Sequence, residues 1–209
     1  CAGGRGGERC ATVATAGGTL HEHLGCRTGA VWCGVRPLGT VRVEGGAAFD
    51  HLQATLTNDL RKIEPGRALY THLLDADDAS VLDDIIVWWI DDTTFDVMPN
   101  ASNTDRVVAA IGGDDTTATR CILAVQGPEA RRQVAKFSAV AANVKRFRVE
   151  RVEIAGARCT VAGTGYTGED GVEIAVPAEA APFAMATPRS SEWRVREPPP
   201  YSSPFQGEE

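Results

Sequence analysis

Apolar positions along this chain follow two rhythms. Where they alternate or run unbroken they mark strands, and where they return at three and four residues they mark helices. The longest unbroken run is VLDDIIVWWI, residues 81–90. It is β-branched and aromatic, which predicts a strand buried on both faces. Asp83 and Asp84 sit inside it and point to opposite faces, Asp84 with Leu82, Ile86 and Trp88, Asp83 with Val81, Ile85 and Trp89. An ionised carboxylate among apolar neighbours is costly unless it is paired or hydrogen-bonded. An acid kept there points to a ligand that needs one.

The other patterns arrange themselves around this ribbon. Residues 39–45, GTVRVEG, alternate as a half-buried strand, and AAFDHLQATLTNDL follows with Phe49, Leu52, Leu56 and Leu60 at helical spacing. ALYTHLL, residues 68–74, predicts a strand, and DDTT turns the central ribbon into the return strand FDVM, residues 95–98. Pro99 stops that ladder, and NTDRVVAAI predicts a helix with Ser102, Asn103 or Thr104 as its N-cap. CILAVQGPEARRQVAKF reads as strand, tight turn and helix, with Pro128 suited to the first helical position. RVERVEIAG and ARCTVAG predict two strands around Gly156, and TGYTGEDGVEIAVP joins a glycine-rich turn to a last strand. That turn has no following Lys-Ser/Thr and no helix after it, which excludes a phosphate loop. Its glycines instead predict a backbone bent around a flat ligand, with Tyr166 and Glu173 projected towards it.

The two ends differ from the middle. Residues 1–18 are rich in Gly, Ala and Arg without periodicity, and read as a loose leader. Residues 185–209 carry Pro198, Pro199 and Pro200 among Ser and charged residues, and read as an extended, disordered tail.

Composition removes some function classes. The 209 residues carry a formal charge of -7 with no Lys/Arg cluster, against a nucleic-acid partner. No apolar run is long enough to span a bilayer, so no membrane role is expected. The six cysteines are scattered without a CxxC, a pattern that suits free thiols and a cytoplasmic location. HEHLGC, residues 21–26, reads either as a metal site or as a polar turn. No later Cys/His group completes a tetrahedral set, so no metal is expected.

LTNDL, GRALYTHLL, LDDIIV, LAVQGP and GTGYTGEDGVEI stand in this order between residues 19 and 184. In order and spacing they resemble the glycine cleavage T-proteins, the tetrahydrofolate-dependent aminomethyltransferases. The resemblance implies an α+β fold of two interleaved antiparallel-sheet domains with flanking helices. It assigns residues 43–124 to an inserted domain carrying the Asp84 strand, and residues 19–42 with 125–184 to a folate-binding domain. The family's further β-rich domain and its G-x-G-A-R-D segment have no counterpart in this sequence, so a C-terminally truncated member is expected. The activity implied is transfer of the aminomethyl carbon from the lipoyl arm of H-protein to tetrahydrofolate, with release of ammonia.

Carried over by position, Asp84 matches the catalytic acid, and Tyr70, Asn100, Tyr166 and Glu173 match folate contacts, with Glu173 at the pterin. Leu38, Ile86 and Met98 fall on apolar contacts. The residue types suit these roles. A carboxylate can accept two N–H bonds from a pterin edge, tyrosines offer stacking surface, and a desolvated Asp84 would serve as a general base. Departures from the family's pattern are Arg36 and Pro37 in VRPLG, and Gly163 where an arginine is usual before TGYTG. Two other readings stay open, a non-catalytic folate-binding module of the iron–sulfur maturation type and an inactive fragment.

Overall fold

The computed structural model describes residues 18–35 and 38–180. In chain order its elements are helix α1 (Gly18–Thr28), strands β1 (Val31–Gly34) and β2 (Val41–Glu44), helix α2 (Ala48–Thr55), strands β3 (Arg67–Leu74), β4 (Val81–Asp91) and β5 (Thr94–Met98), and helix α3 (Thr104–Ile111). They continue with strands β6 (Asp114–Asp115) and β7 (Arg120–Gln126), helices α4 (Ala130–Ala135) and α5 (Ala139–Asn143), and strands β8 (Val149–Ile154), β9 (Ala157–Ala162) and β10 (Gly171–Pro177). The strands form two five-stranded sheets, ordered β1-β7-β10-β9-β8 and β3-β4-β5-β2-β6. Their ladders are antiparallel. Residues 41–115 supply the whole second sheet, and the first is built from strands before and after it.

Alternation along the strands divides the apolar residues among three cores. Leu52 of α2 and Val107 and Ile111 of α3 pack on Ile85, Val87, Trp89 and Phe95 of the second sheet. Val134 of α4 and Ala141 of α5 pack on Leu123, Val125, Val161, Val172 and Ile174 of the first. Between the sheets lie Ala68, Ile86, Trp88 and Met98 from one side and Ile122, Ala162 and Ala175 from the other. The result is a helix–sheet–sheet–helix stack. β4 supplies two of the three cores from its opposite faces, as an unbroken apolar run requires.

The sheets are joined at two places. At one corner the Ala68 N–H donates to the Phe147 carbonyl at 2.9 Å, and the Val149 N–H to the Gly66 carbonyl at 2.8 Å. Elsewhere the fully buried Asp96 of β5 accepts two bonds from Arg42 of β2, at 2.8 and 3.0 Å. It accepts a further bond from Arg120, which belongs to the other sheet. A carboxylate held by guanidinium groups from both sheets has its lone pairs satisfied without water.

Several local expectations are corrected. HEHLGC is not a turn but part of α1, and the helix begins at Gly18, inside the span read as leader. Pro128 lies before Glu129, the N-cap of α4, and not at the first helical position. Asn103 is the N-cap residue of α3, yet its side chain makes no cap bond; its Nδ2 donates instead to Asp83 Oδ1 and the Leu82 carbonyl. Cys26, Cys33 and Cys159 are free thiols, but Cys121 is disulfide-bonded. The rest of the leader, the tail at 185–209, and Arg36 and Pro37 lie outside the described residues. Among the described residues no helix is long and apolar enough to cross a membrane.

Candidate functional site

Three of the candidate residues form a row across the second sheet. Tyr70 on β3 pairs in register with Ile86 on β4, and Ile86 with Met98 on β5. Ile86 and Met98 are buried in the layer between the sheets, with the half-buried Tyr70 packed against them. Leu38 and Asn100 extend the row as an isolated antiparallel bridge. Leu38 is buried.

The first sheet contributes Glu173. Its neighbours Val172 and Ile174 face the helices, so Glu173 faces the second sheet. It lies in register between Ala124 and Ala162, whose small side chains leave room around a carboxyl. Glu173 is 1% exposed. Its Oε2 accepts the Thr164 hydroxyl at 2.5 Å, while its Oε1 is buried without a partner. Burial raises its pKa above the usual carboxylate value, and the Thr164 bond works against that rise.

Tyr166 brings the glycine-rich loop to the second sheet. Its ring meets that of Tyr70 edge-on at 6.2 Å, and Tyr70 meets Phe147 edge-on at 6.0 Å. Partial desolvation in this mouth, followed by the nearby Tyr70, Glu173 and Asp84, pushes the Tyr166 phenol well above its ordinary range. Burial, then Glu173 and Asp84, also raises Tyr70, while Arg146 lowers it. The same two acids act on both tyrosines, so the structure brings Asp84, Glu173, Tyr70 and Tyr166 into one neighbourhood. A cavity of about 340 Å³ is lined by Tyr70, Arg146, Phe147 and loop residues that include Thr164, the partner of Glu173.

The environment expected for Asp84 is corrected. Its side chain is 65% exposed, with His72 Nε2 at 3.6 Å as its ion partner, so apolar neighbours do not desolvate it. The buried acid of the ribbon is Asp83, 3% exposed. It accepts the Asn100 backbone N–H at 3.0 Å, Asn100 Nδ2 at 2.7 Å and Asn103 Nδ2 at 2.9 Å. Alternation assigns the two acids to opposite faces, but it does not say how far along the strand each face stays covered. Asp84 lies where the layer between the sheets opens, whereas Asp83 lies under the 3-10 turn Ala101–Asn103. Asn100 is tied to this structural role, its Nδ2 also approaching the Asp84 carbonyl at 3.4 Å.

Gln126, at the end of LAVQ, is a residue the sequence reading passed over. Fully buried, it donates from Nε2 to the carbonyls of Thr164, at 3.1 Å, and Val172, and accepts the Thr167 hydroxyl at 2.9 Å. Gly165 makes room for this amide, since a Cβ there would lie 2.1 Å from Gln126 Oε1. Arg27 of α1 fixes the loop further through Glu169 at 2.6 Å, and Arg131 of α4 through Asp170 at 2.7 Å. A polar residue inside the apolar strand CILAVQ was the available signal for Gln126. Thr164 was missed because a hydroxyl inside a glycine-rich turn carries no pattern. Among the described residues no group of His, Cys, Asp or Glu is placed to hold a metal ion, and His23 is exposed on α1.

Comparison with known proteins bears on what such a cleft is for. Residues 12–187 match the GCVT N-terminal domain. An aminomethyltransferase of Desulforamulus reducens is 31% identical over 173 residues, covering 78% of this chain and 47% of that protein. One from Geobacillus thermodenitrificans is 35% identical over 171 residues, covering 77% and 46%. The crystal structure of glycine cleavage system aminomethyltransferase T from Bartonella henselae superposes with a TM-score of 0.68 at 28% identity, covering 80% of this chain and 47% of that one. The chain thus spans about half the length of the curated relatives it matches. With the match to the family model running through both sheets, the loop that carries Tyr166 and the strand that carries Glu173, the chain belongs to the GCVT N-terminal domain family.

Proposed function

We propose that this chain is the folate-binding part of an aminomethyltransferase of the glycine cleavage system. The reaction moves a one-carbon unit from the aminomethyl-lipoyl arm of H-protein to tetrahydrofolate and releases ammonia. The observation that carries the reading is Glu173 Oε1, a buried carboxylate oxygen without a partner on the face of the first sheet turned towards the second. Buried polar atoms are rarely left unpaired, and a carboxylate oxygen left so calls for a donor.

The residues fit a reduced pterin. Glu173 accepts its N–H edge, with Thr164 holding the other carboxyl oxygen in place. Tyr166, 57% exposed, turns aside to admit the ring and then stacks on it with Tyr70. Ile86, Met98 and Leu38 form the apolar wall. Asn100 offers its Oδ1, since its Nδ2 is committed to Asp83. Tetrahydrofolate, when bound, supplies the nitrogen that accepts the one-carbon unit. Asp84 is exposed and free of the bonds that immobilise Asp83, which supports the reading that it holds or takes a proton there. Holding the two carriers in register supplies much of the remaining rate.

Titration of the chain with tetrahydrofolate, followed by tryptophan fluorescence, tests the reading. Saturable binding is expected, and its loss in Glu173→Ala with an unchanged circular dichroism spectrum. With aminomethyl-loaded H-protein added, Asp84→Asn is expected to keep folate binding and lose ammonia release. A wild-type chain that does not bind tetrahydrofolate sinks the proposal. The exposure of Asp84 favours one second reading, a folate-binding module without catalysis. Wild-type binding without ammonia release would select it.

A further inference from the structure

At the end of the layer where Asp96 joins the sheets, away from Glu173, lies a cavity of about 760 Å³. Arg42, Arg120, Arg151 and Arg158 border it, from strands β2, β7, β8 and β9. It shares no lining residue with the cavity beside Tyr70. The chain has a formal charge of -7 and no run of basic residues, so folding alone gathers these four guanidiniums. One carboxylate, Glu153, stands with them on the wall.

The guanidiniums are unequally committed. Arg151 is paired with Asp91 at 2.7 Å. Arg42 and Arg120 share a single carboxylate, Asp96, so their junction keeps one positive charge in excess. Glu44 comes only within 3.9 Å of Arg42 and is exposed, where solvent screens it. Arg120 is 12% exposed, yet among the described residues its guanidinium bonds only through Nη1. Its other N–H groups remain for an acceptor, and a guanidinium so nearly desolvated calls for one. Arg158 stands in register with Glu153, and neither has an ion pair among the described residues. Arg158 and Thr160 flank Cys159, which belongs to the core under the helices. Both therefore turn to the opposite face of the sheet, as Arg120 does beside Cys121. Thr160 is 8% exposed and pairs in register with Ala175 on the same wall. Its hydroxyl makes no hydrogen bond among the described residues.

We propose that this cavity is a phosphate site, in which Arg120, Arg158 and the Thr160 hydroxyl bind the dianionic group of a small phosphate monoester. Arginine forks match phosphate oxygens in pairs. The positive charge in excess at the Asp96 junction, together with Arg158, matches a dianion better than a single carboxylate. The volume leaves room for an organic group beyond the phosphate. The site does not depend on the folate reading.

Calorimetric titration of the full chain at fixed ionic strength, with inorganic phosphate, methyl phosphate and acetate, tests it. Both phosphates are expected to saturate one site, with acetate far weaker. Arg158→Gln should weaken methyl phosphate roughly 10-fold, the scale of one charge-assisted pair, and Thr160→Val about threefold. Glu153→Gln should tighten it by removing the one acid on the wall. These three changes leave the Asp96 junction intact, and circular dichroism checks that each variant folds. Glu173→Gln should bind methyl phosphate as wild type does. Wild type without saturable phosphate binding, acetate as tight as phosphate, or wild-type affinity in Arg158→Gln overturns the proposal. So does a loss in Glu173→Gln equal to that in Arg158→Gln, which would place the phosphate at the other end of the layer.

Discussion

The layer between the sheets holds two buried acids, and it treats them in opposite ways. Asp96 lies towards the end where Arg120 pairs with Pro177, and Glu173 towards the end where Gln126 pairs with Gly171. Asp96 is fully buried and both its oxygens are bound by guanidinium groups from the two sheets. Glu173 is almost as deeply buried, yet it has one hydroxyl donor and an oxygen with none. Equal burial with unequal satisfaction separates the roles. An acid with both oxygens engaged holds the fold together, whereas one with an oxygen in reserve fits the ligand role proposed for Glu173.

Removing the saturated acid should therefore damage the fold most. Asp96→Ala leaves Arg42 and Arg120 facing each other across a cavity, and breaking a buried pair of this kind costs about 3 kcal/mol or more. Urea unfolding should show the loss, while the fraction that remains folded keeps its affinity for tetrahydrofolate. A reduced affinity per folded molecule would mean that the two ends are not separate. Asp83, held by three amide donors, is structural in the same way. Asp83→Ala should cost about 2 kcal/mol by orphaning those donors, measured in the same unfolding experiment.

The reserved acid should behave in reverse. Glu173→Gln keeps the shape and removes the charge. Tetrahydrofolate affinity should fall roughly 10- to 100-fold, the value of a lost charge-assisted bond, without a loss of stability at neutral pH. The pH dependence follows from burial, which raises Glu173 in the folded chain above its ordinary 4.5. Below that value both folded and unfolded chains hold the proton. As pH rises past it, the unfolded chain releases its proton first, so its folded-state advantage falls until pH passes the raised folded value. Wild type should therefore lose urea resistance relative to Glu173→Gln as pH rises from 4.5 towards the raised folded value. Parallel changes in the two midpoints would show that the buried carboxyl does not oppose folding.

Much of the fold around these acids was legible in the sequence, though Asp96 was passed over, and the unreadable part has a physical cause. VLDDIIVWWI announced a doubly buried strand, and GYTGEDGVEI announced the loop and the acid beyond it. Strand alternation correctly separated Ile86 and Trp88 from Ile85 and Trp89. It could not say which acid is covered, because cover over Asp83 comes from the turn at residues 101–103. The roles of Gln126 and Arg120 depend on pairings between residues distant in the chain, Gln126 with Thr164 and Arg120 with Asp96. No local period encodes such contacts. α1 was missed because its polar and apolar residues show little helical segregation, and its Arg27 gains meaning only through Glu169.

The smallest expected effect concerns the acid that the sequence placed in the wrong surroundings. Asp84 is 65% exposed and its approach to His72, at 3.6 Å, is too long for a hydrogen bond. An exposed pair of this kind contributes at most a few tenths of a kcal/mol. Asp84→Asn should therefore shift the urea midpoint by less than about 0.5 kcal/mol, although the neighbouring Asp83→Ala shifts it several times as much. Stability that tolerates a change at Asp84, together with ammonia release that does not, would place its value in chemistry and not in the fold. A large loss of stability instead would mean that Asp84 is bound as Asp83 is, and the distinction between committed and reserved acids would fail on the strand where it is sharpest.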